Sequence, residues 1–190
     1  GANINPDANN LFQFAIMGYC YHSIIKPNVR PTLAIINIGI EENKGKEHLH
    51  ECQNLINNSF LKEFFIGFIE ANKITSGECD IMITDGFTGN MILKTAEGLS
   101  NYIMKNLKSI FVHSVKNKFA YKLIEKDLKL LRNKINPDKY NGAILLGVNG
   151  ISIKSHGSSN SYAFSYAIER CYDYIRNDIN SKIRSQLINI

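Results

Sequence analysis

Short apolar runs alternate along the chain with longer stretches in which apolar residues recur at helical spacing. Three of the runs, 32–38, 64–69 and 79–84, are apolar without alternation, which predicts strands buried on both faces of a sheet. The runs 143–146 and 151–154 predict two further, shorter strands. Because helical stretches separate most of these strands, we expect them to pair in parallel.

Helical periodicity predicts four long helical stretches around the strands. The first begins near Pro6, which suits a first helical turn, and ends before Pro27. The others are 47–57, about 89–135 with a break near 113–116, and about 161–186. This alternation indicates a single α/β domain over residues 1–190, with a parallel sheet covered by helices on both faces.

Polar, glycine-containing loops follow three of the strands. They are 39–47, 85–90 and 155–160. Ligands of open α/β sheets bind at the carboxyl ends of strands, where glycine lets backbone N–H groups face an anion. Capping of the following helix is sufficient to explain any single one of these loops. Three such loops at one edge, carrying Lys44, Asn90 and His156, favour a shared anion site.

The composition is that of an ordinary globular protein, with 44% hydrophobic and 21% charged residues. No apolar run approaches the roughly 20 residues of a membrane span, and the first ten residues lack the regions of a signal peptide. The four scattered cysteines form no CxxC pair, which argues against a zinc site and for reduced, packed thiols. The absence of GxSxG argues against a serine hydrolase.

Positive charge is concentrated in one segment of the chain. The net charge is +5, and residues 103–139 carry ten Lys or Arg against three Asp or Glu, a local charge of +7. Apolar residues recur there at helical spacing, which predicts an amphipathic helical pair. Such a pair can pack on the core or on a dimer partner, and it can also contact anionic lipid or an acidic carrier protein. Nucleic acid is not an expected partner, because aromatic residues are not interleaved in a recognisable module.

Six stretches of the chain match one family in order. They are GAN at 1–3, LFQFAIMGYCY at 11–21, PTLAIINIGIEENKGKE at 31–47, CDIMITDGFTGNMILKTAEG at 79–98, YNGAILLGVNG at 140–150 and IKSHGSSN at 153–160. On these motifs the chain resembles the C-terminal part of the bacterial phosphate acyltransferases of the PlsX family, which are acyl-[acyl-carrier-protein]:phosphate transacylases. The DGFxGN and HGSS motifs are specific in combination.

The resemblance implies transfer of a long fatty acyl group from acyl carrier protein to inorganic phosphate, which forms acyl phosphate for phospholipid synthesis. It implies a Rossmann-like α/β/α sandwich, as in isocitrate and isopropylmalate dehydrogenases, with the helical pair at about 103–135 projecting from it. It also implies a cytoplasmic homodimer without cofactor or metal that associates peripherally with the membrane. Because a helix precedes the first strand and no methionine opens the chain, we interpret it as part of a longer protein.

The implied reaction needs a bound phosphate dianion and a stabilised tetrahedral oxyanion. Lys44 would supply a point charge and Asn90 an amide donor, and His156 would bind phosphate or protonate the leaving thiolate. Backbone amides of the second and third loops are expected to face the anion. Residues predicted to bind phosphate or substrate are Gly39, Gly45, Asp85, Gly86, Thr88, Gly89, Gly157, Ser158 and Ser159.

The chain departs from the family pattern at a few positions. Ile40 and Asn43 replace expected residues in the first loop, Asn160 replaces an aspartate, and Glu70–Lys73 lacks an arginine that the family often has. Two other readings stay open: a related-fold phosphotransacetylase or NAD-dependent dehydrogenase, and a truncated fragment without catalytic activity. The dehydrogenases need clustered carboxylates for a divalent metal, and none are seen near the three loops.

Overall fold

Three parallel strands form the central sheet of the computed structural model, which describes residues 2–135, 142–157 and 159–188. The strands are β1 (Leu33–Asn37), β2 (Phe65–Glu70) and β3 (Ile81–Ile83), and β1 lies between the other two. Leu33 of β1 pairs with Phe65 of β2 and with Ile81 of β3. The three predicted strands and their parallel pairing are therefore confirmed.

The described ranges contain six α-helices. They are α1 (Ala8–Ile25), α2 (Glu47–Asn57), α3 (Gly86–Val112), α4 (Val115–Ile135), α5 (Ser161–Arg176) and α6 (Ile179–Ile188), with short 3₁₀ turns at Phe60–Glu63 and Ala71–Lys73. A capping box begins α1: the Asn10 amide donates to Asp7 Oδ1 at 2.7 Å, and Asn10 Oδ1 accepts from the Asp7 amide at 3.3 Å. The predicted break near 113–116 is confirmed between α3 and α4.

Two predictions about the last third of the chain are wrong. The strands β4 (Ala143–Ile144) and β5 (Ile153–Lys154) pair antiparallel in a sheet of their own instead of joining the parallel sheet. The eight residues between them are too few for the crossover of roughly a dozen or more that a parallel pair needs. The predicted single helix over 161–186 is two helices, because Asp178 takes a left-handed conformation, φ +48°, between α5 and α6.

The main hydrophobic core lies on one face of the sheet, where α1 packs against α2, α6 and β3. Its fully buried side chains come from the helices as well as from β1, and they include Leu11, Ile16, Leu33, Ile35, Ile56, Tyr174 and Ile179. The opposite face carries a smaller cluster formed by Ala34, Ile69 and Cys79. Alternate residues of β1 thus point to the two faces, and the larger one anchors the helices that position the loops.

The four cysteines are free thiols, as the sequence predicts. Cys20, Cys52 and Cys79 are buried and Cys171 is half-buried. Burial raises the pKa of the Cys20 thiol to about 11 and that of the Cys52 thiol to about 12. These two thiols therefore stay protonated at neutral pH and act as small apolar side chains in the core.

The helices α3 and α4 pack against each other and leave most of their surface exposed. The ring of Phe111 contacts that of Tyr121 at 5.5 Å, and the Asn117 side chain donates to the Ile110 carbonyl at 2.7 Å. Gly86 is the one buried residue of α3, and no described side chain of α4 is buried. No helix in the described ranges is long and apolar enough to cross a membrane.

Candidate functional site

The first two predicted loops lie side by side at the carboxyl edge of the sheet. β1 and β3 are neighbouring parallel strands, so the loop after β1 and the start of α3 after β3 leave the same edge. Lys46, at the end of the first loop, is close enough to Asp85 to lower the pKa of its carboxyl. The structure therefore brings together the residues around Lys44 and the residues around Asn90.

The first loop holds Lys44 in a tight turn between two glycines, of which Gly45 requires a glycine conformation. Gly39 is buried, and a Cβ built on it would lie 2.5 Å from Glu41 Oε2 and 3.0 Å from Lys44 Cγ. Gly45 has φ +93°, and its hydrogen faces the side chain of Asn37, which a Cβ would overlap. The lysine stem thus lies against the Gly39 backbone.

The Lys44 ammonium is exposed, and within the described ranges it has no ion-pair partner within 4 Å. An unpaired ammonium on a flexible stem is a point charge suited to phosphate. The predicted role of Lys44 is therefore available to it, while Gly39 and Gly45 shape the turn that carries it.

The second loop is a capped helix start. Asp85 is the N-cap of α3: its Oδ1 accepts from the Thr88 amide and its Oδ2 from the Thr88 hydroxyl, both at 2.7 Å. Burial acts to raise the pKa of Asp85, but the Thr88 hydrogen bonds and the charge of Lys46 outweigh it and lower the pKa below its ordinary value. Asp85 is thus an ionised group with both oxygens engaged, and with Thr88 it fixes the turn.

Two of the amides predicted to face an anion are engaged within the chain. The Gly86 amide donates to the Asn3 carbonyl at 2.8 Å, and the Gly89 amide donates to the Asp85 carbonyl at 3.0 Å. Among the first-turn amides of α3, that of Phe87 has no hydrogen-bond partner from the described part of the chain. The donor that this helix end offers to a ligand is therefore the Phe87 amide.

Asn90 lies at the end of the first turn of α3 and is exposed, so its carboxamide is accessible at this edge. Lys94, one turn further, donates to Glu97 at 2.9 Å on the helix surface. The interpretation of Lys94 as a helix-face residue is consistent with this ion pair.

The third loop approaches α3 further along the helix. The Lys94 ammonium is the main cause that lowers the pKa of the Glu97 carboxyl, and His156 adds a smaller effect, so His156 lies near Glu97. Glu97 follows Asn90 by seven residues, which places it roughly 10 Å along the axis. His156 therefore lies beside α3, about two turns beyond the first-turn donors.

The rest of the third loop is a turn before α5. Ser155 donates from its hydroxyl to Ser159 Oγ at 3.0 Å, and the Ser159 amide donates to the His156 carbonyl at 3.0 Å. Asn160 caps α5 by accepting from the Ala163 amide at 2.8 Å. Gly157 is exposed, and Ser158 lies outside the described residues.

Two side chains that hold the first loop were not among the predicted site residues. Asn37, the last residue of β1, donates to the Lys44 carbonyl at 2.9 Å, and the ring Nε2 of His50 in α2 contacts the same oxygen at 2.8 Å. A polar residue at the end of an apolar run was the available signal for Asn37. No pattern in the sequence pointed to the contact of His50 with the first loop.

Exposed apolar side chains occur in the same two loops as these polar groups. Ile38 and Ile40 flank Gly39 and are 77% and 68% exposed, and Phe87 and Met91 on α3 are 63% and 52% exposed. Large apolar side chains grouped on a surface mark a binding site for an apolar ligand or partner. The edge therefore carries both an exposed ammonium and exposed apolar side chains.

Comparison with known proteins identifies what this chain is similar to. The family described as fatty acid synthesis protein matches residues 1–182. The phosphate acyltransferase of Gluconobacter oxydans (strain 621H) is 39% identical over 187 residues, which are 98% of this chain and 51% of that protein. The phosphate acyltransferase of Acidiphilium cryptum (strain JF-5) is also 39% identical over 187 residues.

A clostridial relative matches over the full chain. The phosphate acyltransferase of Clostridium tetani (strain Massachusetts / E88) is 40% identical over 190 residues, 100% of this chain and 56% of that protein. The chain therefore spans about half the length of the curated relatives it matches.

Proposed function

Because the chain belongs to the fatty acid synthesis protein family, we propose that the protein transfers a fatty acyl group to inorganic phosphate and forms acyl phosphate for phospholipid synthesis. The observation that carries this proposal is the carboxyl edge of the sheet. There the loop of Lys44, which has no ion-pair partner in the described part of the chain, and the first turn of α3 carry exposed apolar side chains. An anion and an acyl chain are the two substrates that such an edge suits.

In the proposed reaction a phosphate oxygen attacks the carbonyl carbon of a thioester. A C–O bond forms, the tetrahedral intermediate collapses, the C–S bond breaks, and the thiolate leaves and takes up a proton. Phosphate is already a nucleophile, so the protein needs to position it and to stabilise the oxyanion. No covalent acyl-enzyme is required.

Lys44 would bind the phosphate and offset the charge that develops during attack. The Asn90 carboxamide and the Phe87 amide would donate to the oxyanion or to phosphate. Asp85 and Thr88 would hold the helix start in place, and Gly86 and Gly89 would allow the substrate to approach the backbone. His156 would protonate the leaving thiolate or contact phosphate from beside α3.

The acyl donor that we propose is acyl carrier protein. The cationic segment 103–139 carries a local charge of +7, which suits an acidic partner. The exposed Ile38, Ile40, Phe87 and Met91 would receive the start of the acyl chain as the thioester arrives.

The assembly and location that we propose follow from the same surface. The helices α3 and α4 expose both basic and apolar residues, which suits a cytoplasmic protein that binds the surface of anionic membranes as a homodimer. For the fold we propose a Rossmann-like α/β/α sandwich of the isocitrate and isopropylmalate dehydrogenase kind, of which the parallel sheet β2–β1–β3 is a part.

The test is an assay of the native full-length protein with palmitoyl-carrier protein. Phosphate-dependent thiol release is followed, and acyl phosphate is trapped with hydroxylamine as the hydroxamate. We expect thiol release and hydroxamate to appear together and to depend on phosphate. Phosphate-dependent turnover of acetyl-coenzyme A alone would favour a phosphotransacetylase, and binding of a nicotinamide cofactor with hydride transfer would favour a dehydrogenase. A folded protein without any of these activities would contradict the proposal.

A further inference from the structure

Two side chains from different elements bind the backbone carbonyl of Lys44. Asn37 Nδ2 donates to this oxygen at 2.9 Å from the end of β1, and His50 Nε2 lies 2.8 Å from it in the first turns of α2. The carbonyl oxygen of Lys44 is therefore held both by the strand that precedes the loop and by the helix that follows it. This rigid attachment contrasts with the exposed side chain of the same residue.

The Asn37 side chain is itself held in one orientation. It is buried, with 6% of its surface exposed, and its Oδ1 accepts from the Ile38 amide at 2.8 Å while its Nδ2 donates to Lys44. Gly45 packs against the same carboxamide with no room for a Cβ. Asn37 thus contacts Lys44 and the residue that follows it, and both of its side-chain polar atoms are used.

The His50 ring is oriented by a contact on its other side. It packs edge-on against the buried ring of Phe68 in β2, with centroids 5.1 Å apart and planes at 80°. A carbonyl oxygen only accepts hydrogen bonds, so His50 Nε2 must carry the proton that binds it. Both the neutral Nε2–H tautomer and the imidazolium supply that proton, so this histidine is a donor and not a base at this position.

We propose that Asn37 and His50 are positioning residues that direct the Lys44 ammonium toward the substrate phosphate. A free lysine side chain samples many rotamers, and fixing its backbone while the stem rests on Gly39 limits the directions that the ammonium can take. Neither residue touches the substrate in this proposal. The inference rests on the proposed function, because it needs Lys44 to act on phosphate.

The test uses substitutions in the native full-length protein, with kcat and KM for phosphate measured for each. His50→Ala removes the donor, His50→Gln restores an N–H near the position of Nε2, and Asn37→Asp replaces a donor by an acceptor that repels the carbonyl. We expect His50→Ala and Asn37→Asp to lower kcat/KM for phosphate about tenfold or more, because small misplacements of a catalytic group have large effects on rate. His50→Gln should stay within about threefold of the native protein, and so should the neighbouring His48→Ala.

A double substitution separates positioning from general stability. In a Lys44→Ala background His50→Ala should have almost no further effect on kcat/KM, because the group that it positions is gone. Equal losses with and without Lys44 would overturn the inference, and so would unchanged kcat/KM in folded His50→Ala. If Asn37→Asp fails to fold, the three His50 measurements decide alone.

The failure of this inference is distinguishable from that of the proposed function. If the native protein forms no acyl phosphate, the proposed function is wrong and this inference with it. If Lys44→Ala abolishes turnover while the His50 and Asn37 variants keep native kinetics, the proposed function stands and the positioning role is wrong.

Discussion

The proposed role of Lys44 depends on the residues that hold the turn around it. Gly39 leaves space for the lysine stem, and Gly45 turns the chain with a positive φ directly beside Asn37. The charge itself is on a residue that any surface loop could contain. What distinguishes it is that Asn37 binds its carbonyl oxygen and that the next residue, Gly45, takes a positive φ.

Gly45→Ala is expected to lower the free energy of unfolding by more than the about 1–2 kcal/mol that left-handed backbone costs a residue with a Cβ. The additional loss arises because the new methyl group overlaps the Asn37 side chain. Gly77→Ala is the matched control, since Gly77 has φ +79° with no atom within 4 Å of a built Cβ. Urea unfolding of both variants measures the difference. Equal losses would show that the Asn37 contact contributes nothing.

At the scale of elements, α3 and α4 leave most of their surface exposed, including large apolar side chains. Val115, Phe119 and Leu123 recur every four residues on α4 and are 83%, 66% and 71% exposed. They therefore share one helix face. Lysines accompany them along the same helix, which suits an anionic lipid surface.

Phe119→Glu is expected to weaken binding to phosphatidylglycerol vesicles about tenfold or more, because it removes apolar area and adds negative charge to that face. Co-sedimentation at low and high salt measures the effect, and binding of the native protein should fall as salt rises. The control is Tyr172→Glu on α5, an aromatic residue that is 72% exposed and lies outside the pair. Vesicle binding that does not change with salt concentration would contradict the proposal, and so would an equal loss of vesicle binding in Phe119→Glu and Tyr172→Glu.

The sequence predicts the elements around the site better than it predicts their contacts. The strands β1, β2 and β3 could be read from apolar runs, since burial on both faces leaves a strong local pattern. The contacts of His50 with Lys44 and Phe68 join three elements, and no local pattern carries them. For the same reason the sequence placed three loops together, whereas the third loop lies near Glu97, further along α3.

Two local signals were also too weak to use. Asp178 alone breaks the last helical stretch, and aspartate in a left-handed conformation looks like any surface residue in a periodic pattern. The pairing of β4 with β5 depends on the length of the connection rather than on composition.

At the scale of the whole molecule, the two edges of the sheet differ in how their charges are used. At the amino edge, Lys26 donates to Asp80 at 2.9 Å, and the Thr32 amide and hydroxyl donate to the same carboxylate, both at 3.1 Å. These bonds tie α1 to the starts of β1 and β3. At the carboxyl edge the Lys44 ammonium has no ion-pair partner among the described residues, so we expect the first edge to stabilise the protein and propose that the second serves function.

The amino edge predicts how stability depends on pH. The hydrogen bond from Lys26 is the main cause that lowers the pKa of Asp80 from 3.8 to about 2. Because the folded-state pKa is the lower one, this stabilisation is complete above the unfolded-state pKa and is lost as the pH falls toward 2. Its size is at most about 2 kcal/mol, because solvent screens the half-exposed Lys26 side chain.

Urea unfolding of the native protein between about pH 6 and pH 2 should therefore show a loss of stability that Asp80→Asn lacks. Lys26→Met removes the hydrogen bond that lowers the pKa of Asp80, so it should reduce this loss of stability at low pH. Parallel curves for all three proteins would contradict the assignment of this pH dependence to Asp80.

The most direct test of the central claim is the turnover of Lys44→Ala in the native full-length protein, with palmitoyl-carrier protein and phosphate as substrates. Lys62→Ala is the control, because this exposed lysine lies in the turn before β2, at the opposite edge of the sheet. We predict that Lys44→Ala lowers phosphate-dependent thiol release by on the order of 100-fold or more, while Lys62→Ala leaves it unchanged. A folded Lys44→Ala protein with turnover within about threefold of the native value would contradict the account, because acyl transfer would then not depend on this edge.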